Sequence, residues 1–510
     1  MMKRKLLLWT TALTLICAHA TAQENAVIKI DTDRTIGTID PRLFGSFSEH
    51  LGQGIYGGIY DPGSSQSDEE GFRKDVIAHT CDLGISVIRW PGGNFVSGYH
   101  WEDGIGDPAQ RPTRIDLAWG GRESNRVGTD EFVKFARKAG VEPYFCVNLG
   151  TGSLDEARNW VEYCNVDKGT YYSDLRRKNG SEKAHKIIYW GLGNEVDGPW
   201  QMGHKSPEEY AKVAIETAKL MRWIDNDIKL VASGSSNYSA DWNLWNRTVL
   251  DQMYNYIDYI SLHHYSHNNS DYLTYLTNTI EVEDYIRIVE QQIKEAKMKN
   301  RSSKNVYIAF DEWNAWTRTF NGSDNTLSEI YDLQDALVVA QYLNIFMRTC
   351  DIVKMANIAQ LVNVIAPMRT EGDRIWKQTT YHPFYLFSNH CRGTSLDVFT
   401  KSPVYQTRRY EAVPYLDVSS TYDAENGEIV LNVVNRHPDQ AITAEIQSQN
   451  SSFGKEAIAH VVNGSRVDIA NSVDEQNVSI RKRALKTTAD KFSFSFEPHS
   501  FTQIVIKTAK

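Results

Sequence analysis

The sequence holds little that would fit a partner other than a neutral molecule. Cysteine occurs only six times in 510 residues. The six are scattered with no Cys-x-x-Cys pair, which argues against a disulfide framework or a zinc ribbon. A basic surplus is missing as well. Lys and Arg number 55 against 64 Asp and Glu, a formal charge of −9, so nothing is left over to neutralise the phosphates of a nucleic acid. No apolar run reaches the roughly 20 residues that a membrane span requires. No Gly-x-Gly-x-x-Gly turn follows the first strand-like run, which counts against a doubly wound dinucleotide-binding sheet.

At the N-terminus, Lys3, Arg4 and Lys5 precede a largely apolar stretch from Leu6 to Ala18, and Ala18-His-Ala20 and Ala20-Thr-Ala22 offer small-residue cleavage sites. Residues 1–22 therefore read as a secretory signal cut after Ala22, with export to a periplasm or the extracellular space expected. Removing them would make the charge three units more negative. Cys17 lies inside this segment, and Ile16 stands where a lipidated cysteine is usually preceded by a small residue. The remaining Cys81, Cys146, Cys164, Cys350 and Cys391 are expected to behave mostly as buried small hydrophobes.

What is present is an alternation. Short apolar runs at 43–48, 85–89, 143–148, 187–190, 230–233, 259–263, 306–310 and 356–361 are separated by helix-compatible segments. One of these, Ser206 to Met221, carries an N-cap serine, a first-turn Pro207 and Glu209 three residues after the cap. Eight strand–helix repeats predict an α/β fold, a (β/α)8 barrel. Beyond about residue 400 the runs shorten and alternate, as in Lys491-Phe-Ser-Phe-Ser-Phe496, and Asn426-Gly427 signals a hairpin. That texture predicts a C-terminal β-sandwich. The expected division is a signal at 1–22, an N-terminal strand at 23–40 that packs with the sandwich, a barrel at 41–395 and the sandwich at 396–510.

Two of the apolar runs end on glutamates, in Gly193-Asn194-Glu195 and Asp311-Glu312-Trp313. A barrel presents its reactive groups at strand C-termini, and a pair of carboxyls on different strands is what glycoside cleavage needs. The two must differ in pKa, one to give a proton and one to stay ionised. Arg89, His263 and Tyr265 are placed to hold a carboxylate ionised. Asp311, by strand alternation, should point away from Glu312, and His264 away from His263. The same residue types have plainer uses: Asn-Glu and Asp-Glu cap helices, Arg89 can close an ordinary salt bridge, and Pro91-Gly92-Gly93 can be only a tight turn. Most of the thirteen tryptophans belong to the core, while Trp101, Trp119, Trp200, Trp313 and Trp316 lie near the candidate loops and can stack on sugar rings.

Taken together, Phe47-Ser-Glu-His-Leu-Gly52, Arg89-Trp-Pro-Gly-Gly-Asn-Phe-Val-Ser-Gly-Tyr99, Gly193-Asn-Glu-Val-Asp-Gly-Pro-Trp200, Asp258-Tyr-Ile-Ser-Leu-His-His-Tyr265, Asp311-Glu-Trp-Asn314 and Gln360-Leu-Val-Asn-Val-Ile-Ala-Pro367 resemble the α-L-arabinofuranosidases of glycoside hydrolase family 51. The resemblance runs from about Ile30 to the C-terminus. It implies a retaining exo-acting enzyme that removes terminal α-L-arabinofuranosyl units from arabinan, arabinoxylan or their oligosaccharides. It further implies that Glu195 is the general acid/base and Glu312 the nucleophile. The substrate-side residues would be Glu49, Arg89, Asn94, Trp119, Asn194, His263, Tyr265 and Gln360, with Arg89 and Tyr265 also positioning Glu312. No metal or organic cofactor is expected, and a homo-oligomer is.

Overall fold

Eight parallel strands close on themselves in the order β6-β7-β8-β1-β2-β3-β4-β5. They are β1 (Gly45–Phe47), β2 (Val87–Trp90), β3 (Glu142–Val147), β4 (Tyr189–Leu192), β5 (Lys229–Ala232), β6 (Tyr259–His267), β7 (Tyr307–Trp316) and β8 (Val353–Ala359). The computed structural model describes residues 26–268, 271–316 and 327–509. The (β/α)8 barrel expected from the alternation is present, followed by a C-terminal two-sheet β domain.

Local sequence explains how the chain enters and leaves these elements. The helix Pro207–Ile224 starts at Ser206, whose Oγ accepts from the Glu209 amide at 3.3 Å, while Glu209 accepts from the Ser206 amide at 2.9 Å. Two otherwise unpaired helix-end donors are thereby satisfied. The first strand begins later than its apolar run: Asp40 caps Pro41–Phe44 as a 3-10 turn, so Leu43 and Phe44 precede the strand. Strand residues pointing outward pack against the helices in one continuous core. Inside the barrel, Val87, Tyr144, Tyr189, Val231, Tyr259, Ala309 and Met355 form a separate plug. A filled interior leaves chemistry to the C-terminal rim.

In the β domain a seven-stranded sheet faces a four-stranded one, with Ile429, Leu431, Ile446, Phe494 and Ile504 among the buried side chains between them. The N-terminal strand Ala26–Ile30 is part of this second layer. It runs parallel to Ile442–Ser448 and antiparallel to Phe399–Lys401. Asn426 and Gly427 belong to the turn between Leu416–Asp423 and Glu428–Asn435, with Gly427 at φ +58°, a left-handed conformation that glycine adopts without Cβ strain. The domain docks on the barrel through the buried helix Leu333–Arg348. Asp417 accepts from Asn344 at 2.8 Å and pairs with Arg348 and Arg436 at 3.2 and 3.3 Å. No described helix is long and apolar enough to cross a membrane.

Candidate active site

The rim where β1, β2, β4, β6, β7 and β8 end gathers most of the polar residues singled out from the sequence. Glu312 is held on both oxygens. The Tyr265 hydroxyl donates to Oε1 at 2.6 Å, and an Arg89 Nη donates to Oε2. The other Arg89 Nη donates to Asn194 Oδ1 at 2.8 Å, and the guanidinium stacks on Phe47 with its carbon 4.3 Å from the ring centroid. Arg89 is fully buried, a position that an arginine tolerates only with such pairing.

Glu195 sits just past β4 at φ +44°, after Gly193 at φ +83°. The left-handed region costs a non-glycine residue about 1–2 kcal/mol, and the turn is closed by the Gly198 amide donating to the Glu195 carbonyl at 2.8 Å. Its carboxyl faces His263 Nδ1 at 3.0 Å and accepts from the Trp200 indole at 3.0 Å. Burial pushes the Glu195 carboxyl above the usual range, helped by the nearby Glu312 and opposed by His263. One oxygen of Glu195, one of Glu312 and one His263 ring nitrogen all lie within 4.8 Å of one another.

His263 joins the two carboxyls. Nδ1 faces Glu195, and Nε2 lies 3.3 Å from Asp311 Oδ1. Burial opposes charge on the ring, but Glu312, Asp311 and Glu195 outweigh it and raise its pKa to about 10. With a carboxyl group facing each nitrogen the surroundings favour the imidazolium form of the ring, which has no lone pair to offer a cation. The trio thus has the span of a metal site but the charge pattern of an ion-pair network.

Asp311 corrects the expectation from strand alternation. Rather than pointing away, it reaches into the barrel, where it accepts from Tyr144 at 2.7 Å and from Ser261 and lies 3.8 Å from Arg89 Nε. The ladder slips at Ser261/His263 between β6 and β7, and again at Phe310/Trp313 between β7 and β8. Such an irregularity breaks the two-residue period and lets neighbouring side chains share a face. Burial raises its pKa, but Arg89 and His263 prevail and hold Asp311 at about 2. Tyr144 was not singled out from the sequence. Its only signal was a polar tip within an otherwise apolar barrel strand.

A second carboxyl cluster lies beside the first. Glu49 Oε1 accepts from the Phe95 amide at 2.9 Å and the Trp119 indole at 3.0 Å, and Gln360 Oε1 accepts from the Glu49 amide at 3.1 Å. Burial dominates these bonds and raises the Glu49 carboxyl to about 7. Gly92 makes room for it: a Cβ there would lie 2.4 Å from Glu49 Cγ, whereas one at Gly93 would sit in ordinary contact, 3.5 Å from both Glu49 Oε1 and Asn194 Nδ2. Asn94, half-buried, opens the 3-10 turn that follows.

The tryptophans divide. Trp119 touches Glu49, Trp200 touches Glu195, and Trp316 packs edge-on against Tyr265 with centroids 5.0 Å apart. Trp101 and Trp313 are buried, Trp101 against Trp160 and Trp313 against Tyr342 and Phe346, and are unavailable to a sugar. His264 turns to Tyr342 and Glu281.

The chain is similar to known proteins over most of its length. Residues 79–286 match the α-L-arabinofuranosidase 1 domain and residues 311–500 the α-L-arabinofuranosidase C-terminal domain. An intracellular exo-α-(1→5)-L-arabinofuranosidase of Halalkalibacterium halodurans is 44% identical, covering 86% of this chain and 90% of its own. The chain belongs to the family 51 α-L-arabinofuranosidases. Intracellular exo-α-(1→5)-L-arabinofuranosidase 1 of Bacillus subtilis is 41% identical, covering 94% of this chain and 98% of its own. The structure of the GH51 α-L-arabinofuranosidase of Thermotoga petrophila superposes with a TM-score of 0.88 at 37% identity, covering 94% of this chain and all of that one. This arabinofuranosidase is a retaining glycoside hydrolase that releases arabinofuranosyl residues.

The names of these relatives overturn one expectation. Export was read from residues 1–22, which lie outside the described residues, whereas the Halalkalibacterium and Bacillus relatives are named intracellular. A basic triplet before an apolar stretch is a compositional signal only. It is outweighed here by homology over most of the chain.

Proposed function

We propose that Glu312 is the nucleophile and Glu195 the acid/base of a double displacement on α-1,5-linked arabino-oligosaccharides. The observation that carries the assignment is the distance of less than 4.8 Å between a Glu195 and a Glu312 oxygen. It fits the about 5–5.5 Å of retaining enzymes and not the about 6.5–9.5 Å that leaves room for a water in inverting ones. The flanking groups separate the roles. Arg89 and Tyr265 donate to both oxygens of Glu312 and fix it in place as an acceptor, while burial favours the protonated form of Glu195.

In the first step a Glu312 oxygen bonds to the anomeric carbon as the glycosidic bond breaks, and Glu195 gives its proton to the departing oxygen. In the second, water attacks the arabinosyl ester, Glu195 takes its proton, and arabinose leaves with its configuration retained. Glu49, Asn94, Asn194, Gln360 and Trp119 surround the furanose in this reading. Asn194 Nδ2, buried and without a partner among the described residues, is the donor that a sugar hydroxyl would satisfy. The 1→5 linkage is supported by the names of the bacterial relatives.

Glu312→Ala is expected to lose activity by at least ~10³-fold and to form an arabinosyl azide of inverted configuration when azide is supplied. Glu195→Ala should lose about 10²–10⁴-fold on substrates with poor leaving groups and far less on activated aryl arabinofuranosides. Wild-type turnover in either variant would overturn the assignment. A homo-oligomer and the division of the chain at about residue 396 belong to the same proposal. The oligomer is supported by apolar side chains left outside, among them Trp223 and Met298, 74% and 80% exposed. Sedimentation of the full chain as a monomer would remove it.

A further inference from the structure

Away from the rim, a cavity of about 340 Å³ opens at the seam between the barrel and the β domain. The helix Tyr381–His390 lines one side, and the strands Phe453–Asn463 and Ser479–Lys486 line the other. Three of the chain's fourteen histidines, His382, His390 and His460, face this space. The two-step reaction uses none of them.

Their ring nitrogens are short of partners. His390 stacks on His460 across the seam, with centroids 5.0 Å apart and planes 18° from parallel. The Gln503 amide donates to Asn432 Oδ1 at 2.8 Å and to the Leu386 carbonyl at 3.2 Å, so its Oε1 is the acceptor that faces His390 Nδ1. A neutral His390 therefore carries its proton on Nδ1, and its Nε2 donates only when the ring is charged. His460 and His382 are 6% and 4% exposed, and His460 Nδ1 and His382 Nε2 are buried without a hydrogen-bond partner among the described residues. Such atoms are rare in a folded protein and mark a place where a bound group completes the bonding.

Cations dominate around these rings. Lys482 stands opposite His460 in the ladder between the two strands, and among the described residues it makes no ion pair. The one carboxylate on the lining, Asp82 at the end of the helix Lys74–Asp82, is already taken. It pairs with Lys377 at 3.1 Å and accepts from the Tyr381 hydroxyl at 2.7 Å. His79, from the same helix, meets the Tyr381 ring edge-on and adds no anion. Burial, with Lys377, pushes His382 down to about 4, and burial, with His390 and Lys482, does the same to His460. An anion placed among these groups would reverse the charge effect and favour imidazolium rings, which donate from both nitrogens. The whole chain carries a formal charge of −9, so this local excess of cation is not a property of its surface at large. A phosphate suits such a lining, because it brings several acceptor oxygens and about −1.5 to −2 of charge. The 340 Å³ space lies within the about 300–1,000 Å³ of small-molecule pockets, which leaves room for a sugar attached to the phosphate.

We propose that this cavity is a second ligand site, which takes a phosphate-type oxyanion, free or carried by a small sugar, between His390, His460 and Lys482. The bound anion ties the barrel helix to the β domain, since His390 belongs to one and His460 and Lys482 to the other. Binding draws protons onto the histidine rings, so affinity rises as the pH falls from about 8 to about 6.

The test is thermal unfolding of the full chain in sulfate, inorganic phosphate or ribose 5-phosphate, against chloride at matched ionic strength. The wild type, Lys482→Ala and His460→Gln are compared. Sulfate keeps its charge across this pH range, so its pH dependence reports the protein. In the wild type it should raise the midpoint saturably, by about 2 °C or more near pH 6 and by less than half as much near pH 8. Both variants should lose the rise. Lys482 is exposed on an edge strand, so its replacement leaves the fold intact. Inorganic phosphate should act as sulfate does, and a larger rise with ribose 5-phosphate would identify the sugar-bearing form as the occupant. A readout independent of stability is the His460 Cε1–H proton resonance, the one missing from His460→Gln, which should titrate at higher pH in sulfate than in chloride. No saturable rise with any of the three oxyanions, or the same rise in both variants, would overturn the site.

Discussion

Both oxygens of Glu195 and both ring nitrogens of His263 are engaged, and this sets how the site titrates. The Trp200 indole can only donate, and a donor on a carboxyl oxygen favours the ionised form. Burial works in the opposite direction and prevails, so Glu195 stays above the normal carboxyl range. A general acid must be protonated to act, so the alkaline limb of kcat/KM follows its ionisation. Removing a donor that favours the anion raises that pKa further. In Trp200→Phe the alkaline limb should therefore move to higher pH while the acidic limb stays in place. An unmoved alkaline limb would show that the indole packs beside Glu195 without tuning it. At this scale the sequence was partly legible. Glu195, Glu312, Arg89 and Tyr265 stood at strand ends, but the engagement of Asp311 was hidden, because a slip in the ladder is a matter of pairing and not of composition.

At the scale of elements, the loop after β2 shows why a glycine follows Pro91. Gly92 has φ +149° and lies against Glu49 from the loop after β1. In Gly92→Ala the new methyl group would meet Glu49 Cγ at 2.4 Å, with backbone on one side and a fully buried carboxyl on the other. Overpacking of this kind costs about 1–3 kcal/mol. The variant should lower the thermal midpoint and, by displacing Glu49, reduce kcat/KM on an aryl arabinofuranoside by at least ~10-fold. A stable variant with unchanged kinetics would mean that the loop yields without moving the carboxyl. The glycines were visible in the sequence as a turn. That Gly92 makes room for a carboxyl from another strand became visible only when β1 and β2 were paired.

At the scale of the molecule, the β domain is joined to the barrel by a buried charge cluster. Burial opposes ionisation of Asp417, but Arg348 and Arg436 hold its pKa below the usual range. Deleting the carboxylate leaves the buried Arg436 and the part-buried Arg348 short of a partner, a loss of about 3–5 kcal/mol for a buried pair. Asp417→Ala should lower the denaturant midpoint by that equivalent. Its unfolding followed by near-ultraviolet signals should separate from unfolding followed by activity, as the β domain loosens ahead of the barrel. Coincident transitions near the wild-type midpoint would show that the seam is held by packing alone.

The alternation of apolar runs and capped helices determined the barrel, because strand and helix periods are local properties of the chain. The glutamates at strand ends and the motifs around them determined the chemistry, since a closed parallel barrel sends every strand terminus to one rim. Tertiary structure alone decided what each carboxyl faces. The distance between Glu195 and Glu312, the double engagement of His263, the inward turn of Asp311 and the histidine-lined cavity at the domain seam all arise between segments far apart in the chain. Burial and charge at those contacts, which no single segment carries, set which carboxyl holds its proton and which stays ionised.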